Sequence, residues 1–142
     1  MKMPLVLTLL LLLSPLVLAA GKDISVQEAY QLSSGGEVLL VDVRALQEWR
    51  QTGIAPTAVT ITMHQPDGLA GFTAQLLQVV NGNKEAPIAL ICAGGVRSSR
   101  VQDYLQQQGF TQVSNVREGM IGSWFSAGWI EQGLPVKAYI DQ

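Results

Sequence analysis

One stretch governs what this chain can fold into. The apolar run Ile88-Ala89-Leu90-Ile91 leads directly into Cys92-Ala93-Gly94-Gly95-Val96-Arg97-Ser98-Ser99-Arg100, and a helical pattern follows. A short apolar run closed by glycines and continued at helical spacing is a buried strand turning into a helix. The turn places Cys92, the single cysteine of the chain, at the carboxyl end of that strand. Two consecutive glycines let the backbone bend tightly and point its N–H groups inward, so the turn forms a cradle of donors around whatever the sulfur carries. A helix N-terminus and nearby guanidinium groups favour the thiolate, which is the nucleophilic form. The competing reading is a structural thiol ending a core strand. Such a thiol needs none of Gly94, Gly95, Arg97 or Arg100 beside it.

The rest of the chain supplies the same alternation. Ser25-Val26-Gln27-Glu28 is a capping-box pattern ahead of Ala29, Tyr30 and Leu32, and predicts a first helix ending near Gly35-Gly36. The continuous apolar run over residues 38–41 reads as a parallel strand covered on both faces. A helix over 46–51, a strand over 59–62, a helix over 72–80 stopped by Asn81-Gly82-Asn83, the strand over 87–91, a helix over 98–108 and a strand over 113–116 follow in turn. Strands alternating with helices indicate an α/β fold with a largely parallel sheet, in which ligands bind at the carboxyl ends of the strands. Cys92 falls at such an end.

The first 20 residues stand apart. Lys2 is followed by an almost pure Leu and Val run and by Val17-Leu18-Ala19-Ala20, the pattern of a secretory signal cleaved near Ala19 or Ala20. The uncharged stretch from Met3 to Ala20 is also close to the lower length limit of a membrane span, so a retained anchor is the alternative; Pro15 and the alanines favour cleavage. Residues 21–142 are then one domain, and loss of Lys2 moves the formal charge from −2 to −3. That mildly acidic balance, with no basic block, gives no nucleic-acid partner and, after cleavage, no stable membrane insertion. One cysteine makes no internal disulfide, and a lone thiol in an oxidising compartment is a liability unless it is used.

At this level of detail the chain resembles the single-domain rhodaneses, the thiosulfate and persulfide sulfurtransferases, in an exported form. Cys92-Ala93-Gly94-Gly95-Val96-Arg97-Ser98 is similar to the family's Cys-x-x-Gly-x-Arg-Ser active-site loop. Val38-Leu39-Leu40-Val41-Asp42-Val43-Arg44, with Glu48-Trp49 after it, and the closing Gly133-Leu134-Pro135-Val136 match two further signatures in the right order. One segment departs: Ile54-Ala55-Pro56-Thr57-Ala58 replaces the family's His-Ile-Pro-Gly-Ala, which bears on local packing more than on chemistry. The resemblance implies a five-stranded, mainly parallel sheet flanked by helices on both faces, and no cofactor. It also implies transfer of a sulfane sulfur through a Cys92 persulfide to a thiophilic acceptor such as cyanide or a thiol. The donor would be thiosulfate or a persulfide, the acceptor cyanide, a small thiol or an exported thiol protein, and the compartment the periplasm.

Roles follow for the named residues. Cys92 is the nucleophile, and the backbone N–H groups of Ala93, Gly94, Gly95, Val96, Arg97 and Ser98 hold the persulfide anion. Arg97 closes the loop. Arg100 either attracts an anionic donor or lies on a solvated helix face. Ser98 caps the helix or donates to the sulfur, capping being the safer reading. Asp42 and Arg44 read as structural, paired with each other, with Glu48 or with loop backbone. His64, the only histidine, has no partner in sequence for a Cys-His hydrolase or a metal site. Trp124 and Trp129 line the pocket mouth or the core. Two other functions compete: a non-catalytic binding or sensing module, and a cysteine-dependent phosphatase or arsenate reductase. In the latter the related loop is longer by one residue, and the four residues between Cys92 and Arg97 favour the smaller sulfur over a tetrahedral oxyanion.

Overall fold

The computed structural model describes residues 21–141, so the signal-like segment over 1–20 lies outside the described residues. Helix α1 (Val26–Ser34) starts as its sequence dictates: Ser25 Oγ accepts from Glu28 N–H at 3.1 Å, while the Glu28 carboxylate accepts from Ser25 N–H at 2.8 Å. These reciprocal bonds satisfy donors that the first turn leaves open. Strand β1 (Asp23–Ile24) precedes it, and β2 (Leu39–Asp42), α2 (Leu46–Thr52) and β3 (Val59–Thr60) follow. Next come α3 (Leu69–Val79), β4 (Ile88–Ile91), α4 (Val96–Gln107) and β5 (Val113–Val116), and a small hairpin of β6 (Gly122–Ser123) and β7 (Ser126–Ala127).

The five strands form one parallel sheet in the order β1-β5-β4-β2-β3. Because successive side chains of a strand point to opposite faces, the continuous apolar runs build two cores. Leu40, Ala89, Ile91 and Val116 pack under α1 with Met120 and Trp129, whereas Val41, Ile88, Leu90, Cys92 and Val113 meet Phe72 and Leu76 of α3 and Val101 and Leu105 of α4. The α/β fold with helices on both faces is therefore the one the sequence leads to. No helix of the described residues is long and apolar enough to cross a membrane.

Several boundaries differ from expectation. The third helix begins at Leu69 rather than residue 72. Helix α4 begins at Val96 rather than residue 98, because Gly95, left-handed at φ 91°, makes the turn that starts it. Strand β3 covers only Val59–Thr60 of the expected 59–62, yet its pairing carries on: Ile61 N–H donates to Asp42 O at 3.1 Å and Met63 N–H to Val43 O at 3.0 Å. Strand β1, only two residues long, is too short to show a period. Around the segment that departs from the family pattern, Ile54 and Ala55 are buried, and Ile54 exchanges two backbone hydrogen bonds of 2.9 Å with Lys137 of the C-terminal tail. The tail fills that corner.

Candidate active site

Cys92 follows the last residue of β4, between β2 and β5 in the middle of the sheet, and is 1% exposed. Its Sγ accepts a hydrogen bond from Gly95 N–H at 3.1 Å and lies 3.1 Å from Ser98 Oγ. A side chain at Gly95 would collide with the Arg117 carbonyl, and φ there is in the left-handed region, so the turn that aims this N–H at sulfur requires glycine. The N–H groups of Val96, Arg97 and Ser98 precede the first intrahelical bond, from Ser99 N–H to Gly95 O at 3.2 Å. They are the open donors of a helix N-terminus beside the sulfur.

Backbone bonds from the segment after β5 fix the loop. Met120 N–H donates to Cys92 O at 2.8 Å, and Ile121 and Gly122 N–H donate to Ala93 O at 2.9 and 3.2 Å. The hairpin that continues from there carries Trp124 and Phe125 fully exposed at its tip.

Three side-chain systems surround the cysteine. Arg97 grips Glu48 of α2 with both nitrogens, at 2.6 and 2.8 Å. That guanidinium, together with the Ala45 N–H bond at 2.9 Å, holds the Glu48 carboxyl down to about 2 from its ordinary 4.5, and the same pair drives Arg97 further toward its charged form. Asp42 and Arg44 are both fully buried and pair with each other, Arg44 Nη2 lying 2.8 Å from Asp42 Oδ2. The remaining donors of Arg44 reach Gly53 O and Thr52 Oγ1 at 2.9 Å each. A fully buried, bidentate pair with two further hydrogen bonds from the guanidinium ties β2 to the end of α2. Ser98, the third, is within 2.6 Å of Asn115 Oδ1 on β5.

The family follows from a match over most of this architecture: the sequence model of the rhodanese-like domain fits residues 25–124. The chain belongs to the rhodanese-like domain family. A protein of Allochromatium vinosum named "Sulfurtransferase" is 32% identical over 108 residues, covering 76% of this chain and 86% of that one. Among solved structures, the Mycobacterium tuberculosis protein Rv0390 superposes with a TM-score of 0.68 at 26% identity, covering 85% of this chain and 100% of its own. A rhodanese-like domain protein of Staphylococcus aureus superposes at 0.57 with 30% identity, covering 82% and 98%.

In this rhodanese-like domain Gly95 N–H and Ser98 Oγ are the loop groups that reach the Cys92 sulfur, the Arg97 side chain turns away to Glu48, and Ser98 is not the cap. Gly95 occupies that position, and Ser98 sits in the first turn with its hydroxyl turned inward to the sulfur and Asn115. Asp42 and Arg44 pair with each other; Glu48 goes to Arg97 instead. Arg100 is exposed on α4, and His64 is exposed in the loop after β3. Trp129 is wholly buried, edge-on to Tyr30 at 5.8 Å with its Nε1–H donating to Pro135 O, so it belongs to the core, whereas Trp124 stands in solvent. Among the described residues no group of three or more His, Cys, Asp and Glu side chains converges to hold a metal. Glu48 as partner of Arg97 and Asn115 as partner of Ser98 are the site residues that spacing did not reveal.

Proposed function

We propose that this rhodanese-like protein is a sulfurtransferase that carries sulfur on Cys92. In the first half-reaction the Cys92 thiolate attacks the sulfane sulfur of thiosulfate; the donor's S–S bond breaks, sulfite leaves with the electron pair, and Cys92 holds the sulfur as a persulfide anion. In the second, cyanide or a thiolate attacks the terminal sulfur and regenerates the Cys92 thiolate. One negative charge stays at the site in both halves. The observation that carries the reading is the Gly95 N–H donated to the Cys92 sulfur at 3.1 Å, with the Ser98 hydroxyl equally close and the open N–H groups of α4 behind it. Backbone N–H donors fixed in this way stabilise an anion without reorganising as it forms.

Arg97 supports sulfur over phosphate as cargo. Its guanidinium is committed to Glu48, with both bonds at or below 2.8 Å, so it braces the loop rather than facing an oxyanion in it. Exposed Arg100, one turn further along α4, is the charge that draws an anionic donor. The reading extends to place: the segment over 1–20 sends the enzyme out of the cytoplasm, where its acceptor is a small thiol, cyanide or an exported thiol protein.

Intact mass after incubation with thiosulfate tests it. The wild type gains one sulfur atom and releases it to cyanide as thiocyanate, and Cys92→Ser does neither while remaining folded. A wild type that never retains sulfur and cleaves aryl phosphates efficiently would overturn the reading.

A further inference from the structure

Ser98 Oγ lies within bonding distance of three acceptors at once: Asn115 Oδ1 at 2.6 Å, Cys92 Sγ at 3.1 Å and Gly95 O at 3.3 Å. A hydroxyl has one hydrogen to give. With that hydrogen on Asn115 Oδ1, the shortest of the three contacts, Ser98 presents only lone pairs to the sulfur. The arrangement suits a Cys92 S–H donating to Ser98 Oγ. It opposes an anion, whose charge would face those lone pairs in a site where Ser98 is wholly buried and Asn115 is 4% exposed.

A half-turn of the Asn115 amide about Cβ–Cγ exchanges its oxygen for its nitrogen and resolves the conflict. Nδ2–H then donates to Ser98 Oγ, and the hydroxyl hydrogen is released to the sulfur. We propose that Asn115 is a positioning residue that sets the direction of the Ser98 hydroxyl. Hydrogens run from Asn115 Nδ2 through Ser98 Oγ to the sulfur while it is a thiolate or persulfide, and run the opposite way when Cys92 is a thiol. On ionisation the S–H proton passes to a base in the surrounding buffer, and the amide and hydroxyl reorient. Asparagine suits the position because it both gives and accepts. An ionised aspartate only accepts, and leucine does neither. The strand holds the amide in place: Asn115 sits on β5 between β4 and β1, in register with Leu90 and Asp23.

The thiolate half of the proposal stands on this geometry alone, and the persulfide half rests on the sulfurtransferase reading. The ultraviolet absorbance of the thiolate separates them, because the chain has one cysteine and its titration needs no sulfur donor. Difference spectra against Cys92→Ser across neutral to alkaline pH give the midpoint of thiolate formation. Asn115→Leu and Ser98→Ala each shift that midpoint upward by about one pH unit, the doubly substituted protein shifts no further than either, and kcat for sulfur transfer falls about tenfold with KM for thiosulfate little changed. Asn115→Asp, of the same size, shifts it at least as far and carries the test if the leucine variant does not fold by circular dichroism. An unmoved midpoint in a folded Asn115 variant, or shifts that add in the double variant, would overturn the role. A wild type that ionises as described but takes up no sulfur would instead remove the sulfurtransferase reading and leave this one standing.

Discussion

Glu48 joins the first turn of α2 to the first turn of α4 through Arg97, and its carboxyl is held down to about 2 from 4.5 chiefly by that guanidinium. A carboxylate depressed in the folded state contributes stability that is present above its unfolded value and is lost as pH falls through the folded one. Acidification from 4.5 toward about 2 therefore removes the contribution of this pair. Glu48→Gln should be less stable at neutral pH by about 1 kcal/mol, a figure kept small because the pair is partly solvated. Urea unfolding at a series of pH values checks this: the gap between variant and wild type closes through the acid window. Neither Glu48 nor Asn115 could be matched to its partner by spacing, since the contacts span 49 and 17 residues. The signal for Asn115 was present all the same: Ser114-Asn115 puts two polar side chains into a strand whose four residues are all buried, and a buried amide demands a partner.

Among elements, the cysteine turn shows how a sequence reading goes right in kind and wrong in detail. The strand, the glycines and the helix were legible because apolar run and helical spacing adjoin. The start of α4 was not, because a serine two or three residues in looks like a cap, whereas only the geometry reveals that Gly95 has already turned the chain and that Ser98 points inward. Gly95→Ala is predicted to cost about 2 kcal/mol or more, the left-handed strain being increased by collision with the Arg117 carbonyl. It should also lower sulfur transfer at least tenfold, since the N–H aimed at Cys92 moves with the backbone. Gly36→Ala is the control: φ there is 71°, open space surrounds the added methyl, and the residue lies before β2 at the other end of the sheet. It should lose about 1 kcal/mol and no turnover. Thermal unfolding and a thiosulfate-to-cyanide assay on both variants separate strain from function.

For the whole molecule, residues 1–20 join the domain far from its chemistry. Gly21 lies beside the Gln106 side chain, at the opposite end of α4 from the cysteine turn. A helix of 12 residues spans about 18 Å, so Gly21, where the described residues begin, and Cys92 are separated by roughly that length. N-terminal sequencing of the protein from the cell envelope should find a chain that starts just after Ala19 or Ala20; a chain that starts at Met1 and stays with the membrane fraction refutes cleavage. Sulfur uptake should be equal in either form, given that separation.

The tail that pairs Lys137 with Ile54 has a bearing of another kind. Lys137 to Ile140 line one groove with Ala58, Val59 and Thr60, alongside the strand that ends one side of the sheet. The strands at both margins are two residues long. Exposed margins are where a second chain adds itself to a sheet and begins a fibril, and short, sheltered ones give it little to extend. From that shape the chain gains a native state that does not recruit its own unfolded copies.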